Sequence, residues 1–273
     1  SIVALSICFG VSRQTKHLVN QPLGYNIDGI VCLEFEGEEA SIIYDKLTTL
    51  TFIEKAGIYS LLPTGKIMTS VRDDAGKDER VYMLEGTEEF FDILGIRILE
   101  DYNVASVDKE DGKYYVCESS LSALAPYMQN GNIRKYHPTP LCGVISDFKL
   151  GTLKEESTGR ITLANITTED VILEWGGYLM AKVNIDEEEA KKRIEEFCIK
   201  NGYKDYMFNA YVMRDLVENN IKEEKNMIKL LTGFSFICIL MTVLTIVGLS
   251  SYHNKTTEMD NAICNVFSCS KTE

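Results

Sequence analysis

Three features of the chain predict an α+β fold. Two strand–helix–strand runs stand far apart in the sequence, and a stretch rich in short strands separates them. A charge-free apolar segment near the C-terminus adds a helix of a different kind. The 273 residues are 45% hydrophobic, enough to build a real core. Acidic residues outnumber basic ones by 41 to 28, and the net charge of −13 repels phosphate backbones, which argues against nucleic-acid binding.

Gly29–Glu36 (GIVCLEFE) is rich in β-branched residues and reads as the first strand. Glu38–Leu50 has helical spacing through Ile42, Ile43 and Leu47, and Ala56–Leu62, stopped by Pro63, reads as the next strand. Within the intervening stretch, Arg80–Glu85 reads as a strand and Thr87–Leu94 as a short helix capped by Thr87. The Asp111-Gly112 pair predicts a hairpin turn before the strand Tyr114–Glu118, and Leu141–Phe148 a buried strand. Tyr178–Val183 is a strand, Asp186 with Glu189 forms a capping box opening the helix Glu187–Lys200, and Met207–Met213 is the last strand. Strand–helix–strand twice over is the split βαβ, ferredoxin-like pattern, here interrupted by a mainly β insertion.

After the last strand, Arg214–Lys229 is a charged helix with Glu218 and Lys222 at i,i+4, and no breaker separates it from the apolar segment. From Leu230 to Tyr252 no charged residue occurs, and a helix of about 20 such residues matches the roughly 30 Å hydrocarbon core of a bilayer. Residues 1–11 (SIVALSICFGV) are also charge-free and are expected to be the end of a first span rather than a signal peptide, having no basic region before them. The expected organisation is therefore 1–18, the end of a first transmembrane helix; 19–63 with 171–213, a discontinuous βαβ subdomain; 64–170, the insertion; 214–229, a stalk helix; 230–252, a transmembrane helix; and 253–273, a tail.

Motifs for chemistry are sparse. Gly65-Lys66 is followed by Ile67 and has Ser60 where a phosphate-binding loop begins with Gly, so no ATP site is expected in this chain. His17, His137 and His253 are far apart and form no HExxH, and the acidic turn Asp73, Asp74, Asp78 lacks the spacing of an EF-hand. Ser268-Cys269-Ser270-Lys271 matches S-x-x-K without the K-T-G or S-D-N elements that accompany it in penicillin-binding enzymes. Carboxylate clusters at Glu38-Glu39, Glu88-Glu89 and Glu187–Glu189 stand where helices begin and complement the helix dipole. Cys32, Cys117 and Cys142 fall on strands as small hydrophobes, so no disulfide framework is inferred from the eight cysteines.

QPLGYNIDGIVCLEF after the first apolar stretch, TEEFFDILGIRILE and CGVISDFKLGTLKEES in the insertion, and EEKNMIKLL running into FICILMTVLTIVGLSSY together resemble the FtsX-like, MacB-type permeases of ABC transporters. The resemblance implies a non-enzymatic permease of the cytoplasmic membrane with its large domain outside the cytoplasm. It implies no cofactor of its own, ATP being bound by a separate cytoplasmic ABC ATPase subunit. Membrane lipid, a dimeric or pseudo-dimeric permease and a periplasmic adaptor protein are the other partners it brings. In that family a cytoplasmic helix after the second span, typically K-E-I-A-I-R-K-V-F-G-A-S, touches the ATPase. The matching stretch here is MDNAICNVFSCS, which makes Asp260, Ile263, Val266 and Phe267 the ATPase-coupling contacts, with Ile263, Val266 and Phe267 at i, i+3 and i+4 of a short amphipathic helix. Cys264 and Asn265 replace the basic pair and Ser268 the Gly. The family has two further spans, so the chain is expected to be one part of a longer permease. A membrane-anchored sensor or scaffold with a degenerate tail is the rival reading.

Orientation is where residues and resemblance disagree. Arg13, Lys16, Lys222, Lys225 and Lys229 flank the middle domain against Lys255 and Lys271 beyond the second span, which by the positive-inside rule favours a cytoplasmic domain. Large domains translocate largely regardless of charge, so the family pattern is preferred. In a variant keeping only Cys264 and Cys269, a membrane-impermeant maleimide is expected to label neither thiol in intact cells and both after permeabilisation. Labelling of intact cells would reverse the orientation.

Overall fold

The computed structural model describes residues 22–35, 40–63, 67–104, 112–135, 137–150, 161–174, 178–203 and 208–266. The expected first span and Phe267 lie outside the described residues. Pro22–Ile221 forms one compact unit, and the described part of a second begins at Lys222.

The chain runs β1 (Ile30–Phe35), α1 (Ala40–Leu47), β2 (Ile53–Tyr59), β3 (Ile67–Arg72), β4 (Asp78–Gly86), α2 (Glu88–Ile93), β5 (Ile98–Asp101) and β6 (Lys113–Cys117). It continues through α3 (Leu121–Leu124), β7 (Met128–Gln129), β8 (Asn132–Ile133), β9 (Thr139–Ile145), β10 (Thr162–Ile166) and α4 (Glu169–Glu174). Then come β11 (Tyr178–Val183), α5 (Glu187–Lys200), β12 (Phe208–Val212) and α6 (Met213–Val266). The strands join in the order β12-β1-β11-β2-β4-β10-β6-β9-β8-β7, with β3 on β4 and β5 on β9.

The first four strands of that path are antiparallel neighbours, with β11 between the parallel pair β1 and β2. This is the split βαβ arrangement, α1 linking β1 to β2 and α5 linking β11 to β12. Ile43 and Leu47 of α1 and Ala190, Ile194 and Cys198 of α5 pack on Val31, Leu33, Leu179 and Ala181 in one core. The inserted sheet is mixed: β10 runs parallel to β4, and β9 parallel to β6. One of its faces, with Val81, Val116, Val144 and Leu163, is closed by Leu124 of α3 and Ile133 of β8. Its other face, with Tyr115, Cys117, Cys142 and Ala164, shares a core with Ile30, Cys32, Tyr59 and Met180 of the βαβ sheet.

Several boundaries differ from those the sequence predicts. β2 starts at Ile53 and ends at Tyr59 because pairing with β11 sets its length and Ser60 N–H turns to the carbonyl of Glu85. Thr87 stands at the start of α2 but caps nothing: its hydroxyl accepts from Ile58 N–H of β2 at 3.2 Å. Asp186 accepts from the N–H groups of Glu188 and Glu189, while the Glu189 carboxylate takes Arg193 rather than closing a capping box. Asp111 of the expected hairpin turn lies outside the described residues, and the described strands β5 and β6 do not pair with each other, since β6 is flanked by β10 and β9 and β5 pairs with β9. The strand at Leu141 runs from Thr139 to Ile145. Met213 begins a helix instead of ending a strand, and the residue 170/171 boundary falls inside α4, whose Ile172 packs under the βαβ sheet. The tail to Val266 is the continuation of α6 and not a separate short helix, as no Gly or Pro follows Gly248 to break it.

Phe90 holds the centre of the shared core. It is wholly buried, stacks on Tyr59 with ring centroids 5.2 Å apart and meets Phe91 edge-on. Gly57 and Gly86 make room for it: a Cβ on Gly57 would fall 2.5 Å from the Phe90 nitrogen, and one on Gly86 2.2 Å from its ring. Phe90→Ala is expected to cost about 3–5 kcal/mol and to lower the midpoint of thermal unfolding by about 10 °C, as measured by near-ultraviolet circular dichroism of the full chain in detergent.

Candidate coupling sites

Two places on α6 are candidate sites, its first turn and its last turns. At the first turn no linker intervenes: Val212 ends β12 and Met213 opens the helix. Met213 is fully buried and Val217 nearly so, and both lie in the shared core with Leu216 packed against it. The Met213 sulfur stands 3.9 Å from the Cys32 thiol of β1. Spacing of i, i+3 and i+4 places Met213, Leu216 and Val217 on one face. That stripe is visible in the sequence, at the head of a segment whose charges mask it.

The flank of the turn beside that face is polar. Arg214 donates to Asp28 at 3.1 Å and to Glu187 at 3.4 Å, and the same Glu187 oxygen accepts from the N–H of Gly29. Lys182 donates to the carbonyl of Asp28. The neighbouring carboxylates, Asp28 first, hold the Arg214 guanidinium above its ordinary pKa. Sequence spacing could not have assembled this cluster, because its members come from three separated segments.

Further along α6, Leu230, Phe234, Ile237, Leu240, Met241, Leu244 and Val247 are exposed, and the most apolar stretch of the helix is not buried anywhere inside the protein. An exposed helix that is apolar all round is long enough and apolar enough to cross a bilayer. Its hydroxyls are consistent with that solvent, since Ser235, Thr242 and Thr245 each donate to the carbonyl four residues back. At the far end, Asp260, Ile263 and Val266 lie on the last two turns and are all exposed. The structure places these three on one helix end.

No family model matches the chain, and no curated protein matches it. Among solved structures, the chain is similar to the periplasmic region of MacB from Actinobacillus actinomycetemcomitans, with TM-score 0.48 and 14% identity over 76% of this chain and 98% of that one. It is also similar to the extracellular domain of the noncanonic ABC-type transporter YknZ from Gram-positive bacteria, with TM-score 0.46 and 9% identity over 67% of this chain and 99% of that one.

Burial pushes the Cys32 thiol, packed beside Met213, up to about 12 from its ordinary 9.0. Below pH 9 the thiol is protonated in both folded and unfolded chains and the shift has no effect. Between pH 9 and 12 only the unfolded thiol ionises, so stability falls as pH rises through that window. Urea midpoints of wild type are therefore expected to drop from pH 9 upward, and less steeply for Cys32→Ala. At pH 8 Cys32 is expected to resist thiol reagents until the chain is denatured.

Proposed function

We propose that the chain is the permease, or part of one, of an ABC-type transporter, in which a separate cytoplasmic ATPase moves α6 and so rearranges the outer α+β unit. The observation that carries this reading is the single helical element from Met213 to Val266. It begins in the core of the outer unit, contains the membrane-length apolar stretch and ends in the turns bearing Asp260, Ile263 and Val266. Ordered in that way, one helical element joins a place where force could be received to a place where it could be used. The work is mechanical transmission, not catalysis, and ATP belongs to the partner. Export or extraction of a substrate across the cytoplasmic membrane, a paired permease and a periplasmic adaptor complete the proposal.

In this reading Val266 and Phe267 are the apolar anchors in a groove of the ATPase, with Ile263 on the same face and Asp260 one turn before Ile263. The sensor or scaffold reading is favoured by one feature, the Cys264 and Asn265 that stand where the resembling family has basic residues. Phe267→Asp decides between them. It is expected to weaken co-purification of the permease with the ATPase by about 2–4 kcal/mol and to lower ATP turnover. Unchanged association and turnover would reject coupling and leave the scaffold.

A further inference from the structure

Arg214 is one side chain that joins three segments. It belongs to the first turn of α6, Asp28 lies two residues before β1 of the first βαβ half, and Glu187 opens α5 of the second. Glu187 is the least exposed of the three, with its side chain 16% accessible against 46% for Arg214 and 75% for Asp28. It is fixed further by the N–H of Gly29, whose positive φ of 67° turns the chain into β1. Lys182 on β11 holds the Asp28 carbonyl, so the loop that Arg214 grips is itself tied to the sheet. On the inner side of the same turn, Met213 and Val217 are seated in the shared core.

From this geometry we propose that Arg214 is a positioning residue, the latch through which movement of α6 is delivered to both βαβ halves at once. The inference rests on the transport reading and adds to it the residue at which the outer unit is gripped. Without the latch, the helix would remain joined to β12 by the chain and to the core by Met213 and Val217. It could then tilt about that apolar contact without carrying Asp28 and Glu187 with it. The planar fork of Arg suits this task, since it offers donors to two carboxylates together, which an ammonium does as a single point charge. Pairs this exposed contribute little to global stability. The expected signature is therefore local loosening with an unchanged melting temperature.

The test uses the full chain in lipid nanodiscs and two variants. Arg214→Met keeps the aliphatic stem and helix propensity without the charge, and Arg214→Lys keeps the charge without the fork. Hydrogen exchange of the amides at residues 28–30 and 213–217 is expected to accelerate about two- to fivefold in Arg214→Met and less in Arg214→Lys, with thermal unfolding unmoved. Raising salt from about 0.05 to about 0.5 M should loosen the wild type toward the variant and leave Arg214→Met as it was. Turnover of the co-purified ATPase is expected to fall severalfold in Arg214→Met and to recover in part in Arg214→Lys. Unchanged exchange in Arg214→Met overturns the latch whatever the turnover. Faster exchange with wild-type turnover overturns its role in coupling. A wild-type chain that leaves the ATPase's turnover untouched refutes the transport reading and the coupling role with it, and the exchange measurement still decides whether Arg214 is the tie.

Discussion

The constraint on which the rest of this structure depends is that β1 is apolar and buried on both faces over Ile30–Leu33, with half-buried Glu34 the one charged residue of the strand. Val31, Leu33 and Phe35 point into the core under α1 and α5, while Ile30 and Cys32 point into the core shared with the insertion, and none of the five exceeds 8% exposure. A ferredoxin-like sheet ordinarily covers one face with its two helices, and an apolar second face has to be covered by something else. Here α2, the inserted sheet and the first turn of α6 do so, through Phe90, Phe91, Tyr115, Met213 and Val217. The insertion and the first turn of the helix thus cover one continuous apolar face. At roughly 25 cal/mol per Å² of apolar surface removed from water, neither can leave without large cost.

The seam between the two sheets is narrow, and that makes packing rather than backbone pairing the glue. β2 and β4 share one register pair, Tyr59 with Gly86, and two flanking backbone bonds, Ser60 to Glu85 and Thr87 to Ile58. The Thr87 hydroxyl adds a third link by accepting from Ile58 N–H. Beside it, the Glu85 carboxylate takes Ser60 on one oxygen and Asn165 on the other, joining β2, β4 and β10 in one polar cluster. The aromatic stack of Tyr59 on Phe90 then fills the angle between the sheets, with Gly57 and Gly86 conceding the space.

Legibility of the sequence obeys the same physics. β1, β11, α1 and α5 are readable because each makes its own periodic or continuous apolar signal, and Asp186 is readable as a cap because capping is local. Short strands whose identity comes from distant partners are not: β3, β5 and β10 carry too few apolar residues, and β10 is made a strand by lying between β4 and β6. Thr87 has the residue type of a cap but gives its hydroxyl to a strand 29 positions away. The Asp111-Gly112 signal does not foretell the pairing of β6, because turn chemistry is local and does not say which strands lie side by side. At the candidate sites, the three tail residues can be placed on a common helix end from spacing alone. The Arg214 cluster cannot, since Asp28 and Glu187 are brought together only by the pairing of β1 with β11.

That difference says something about how such a chain could work. Residues that meet a partner outside the protein need only a shared helix face, which sequence periodicity supplies. A tie that carried motion from a helix into the fold would have to join segments remote in sequence, because a link between near neighbours would move with the helix and resist nothing. The first turn of α6 has both kinds of attachment in one place: an apolar seat made by Met213 and Val217, which tolerates sliding, and a directed one made by Arg214, which does not. An apolar seat alone would let the helix turn against the sheet, and an exposed ion pair alone would be too weak to hold it. Side by side on one turn, with β12 running into it without a linker, the two attachments fix the start of the helix both to the shared core and to the segments that carry Asp28 and Glu187.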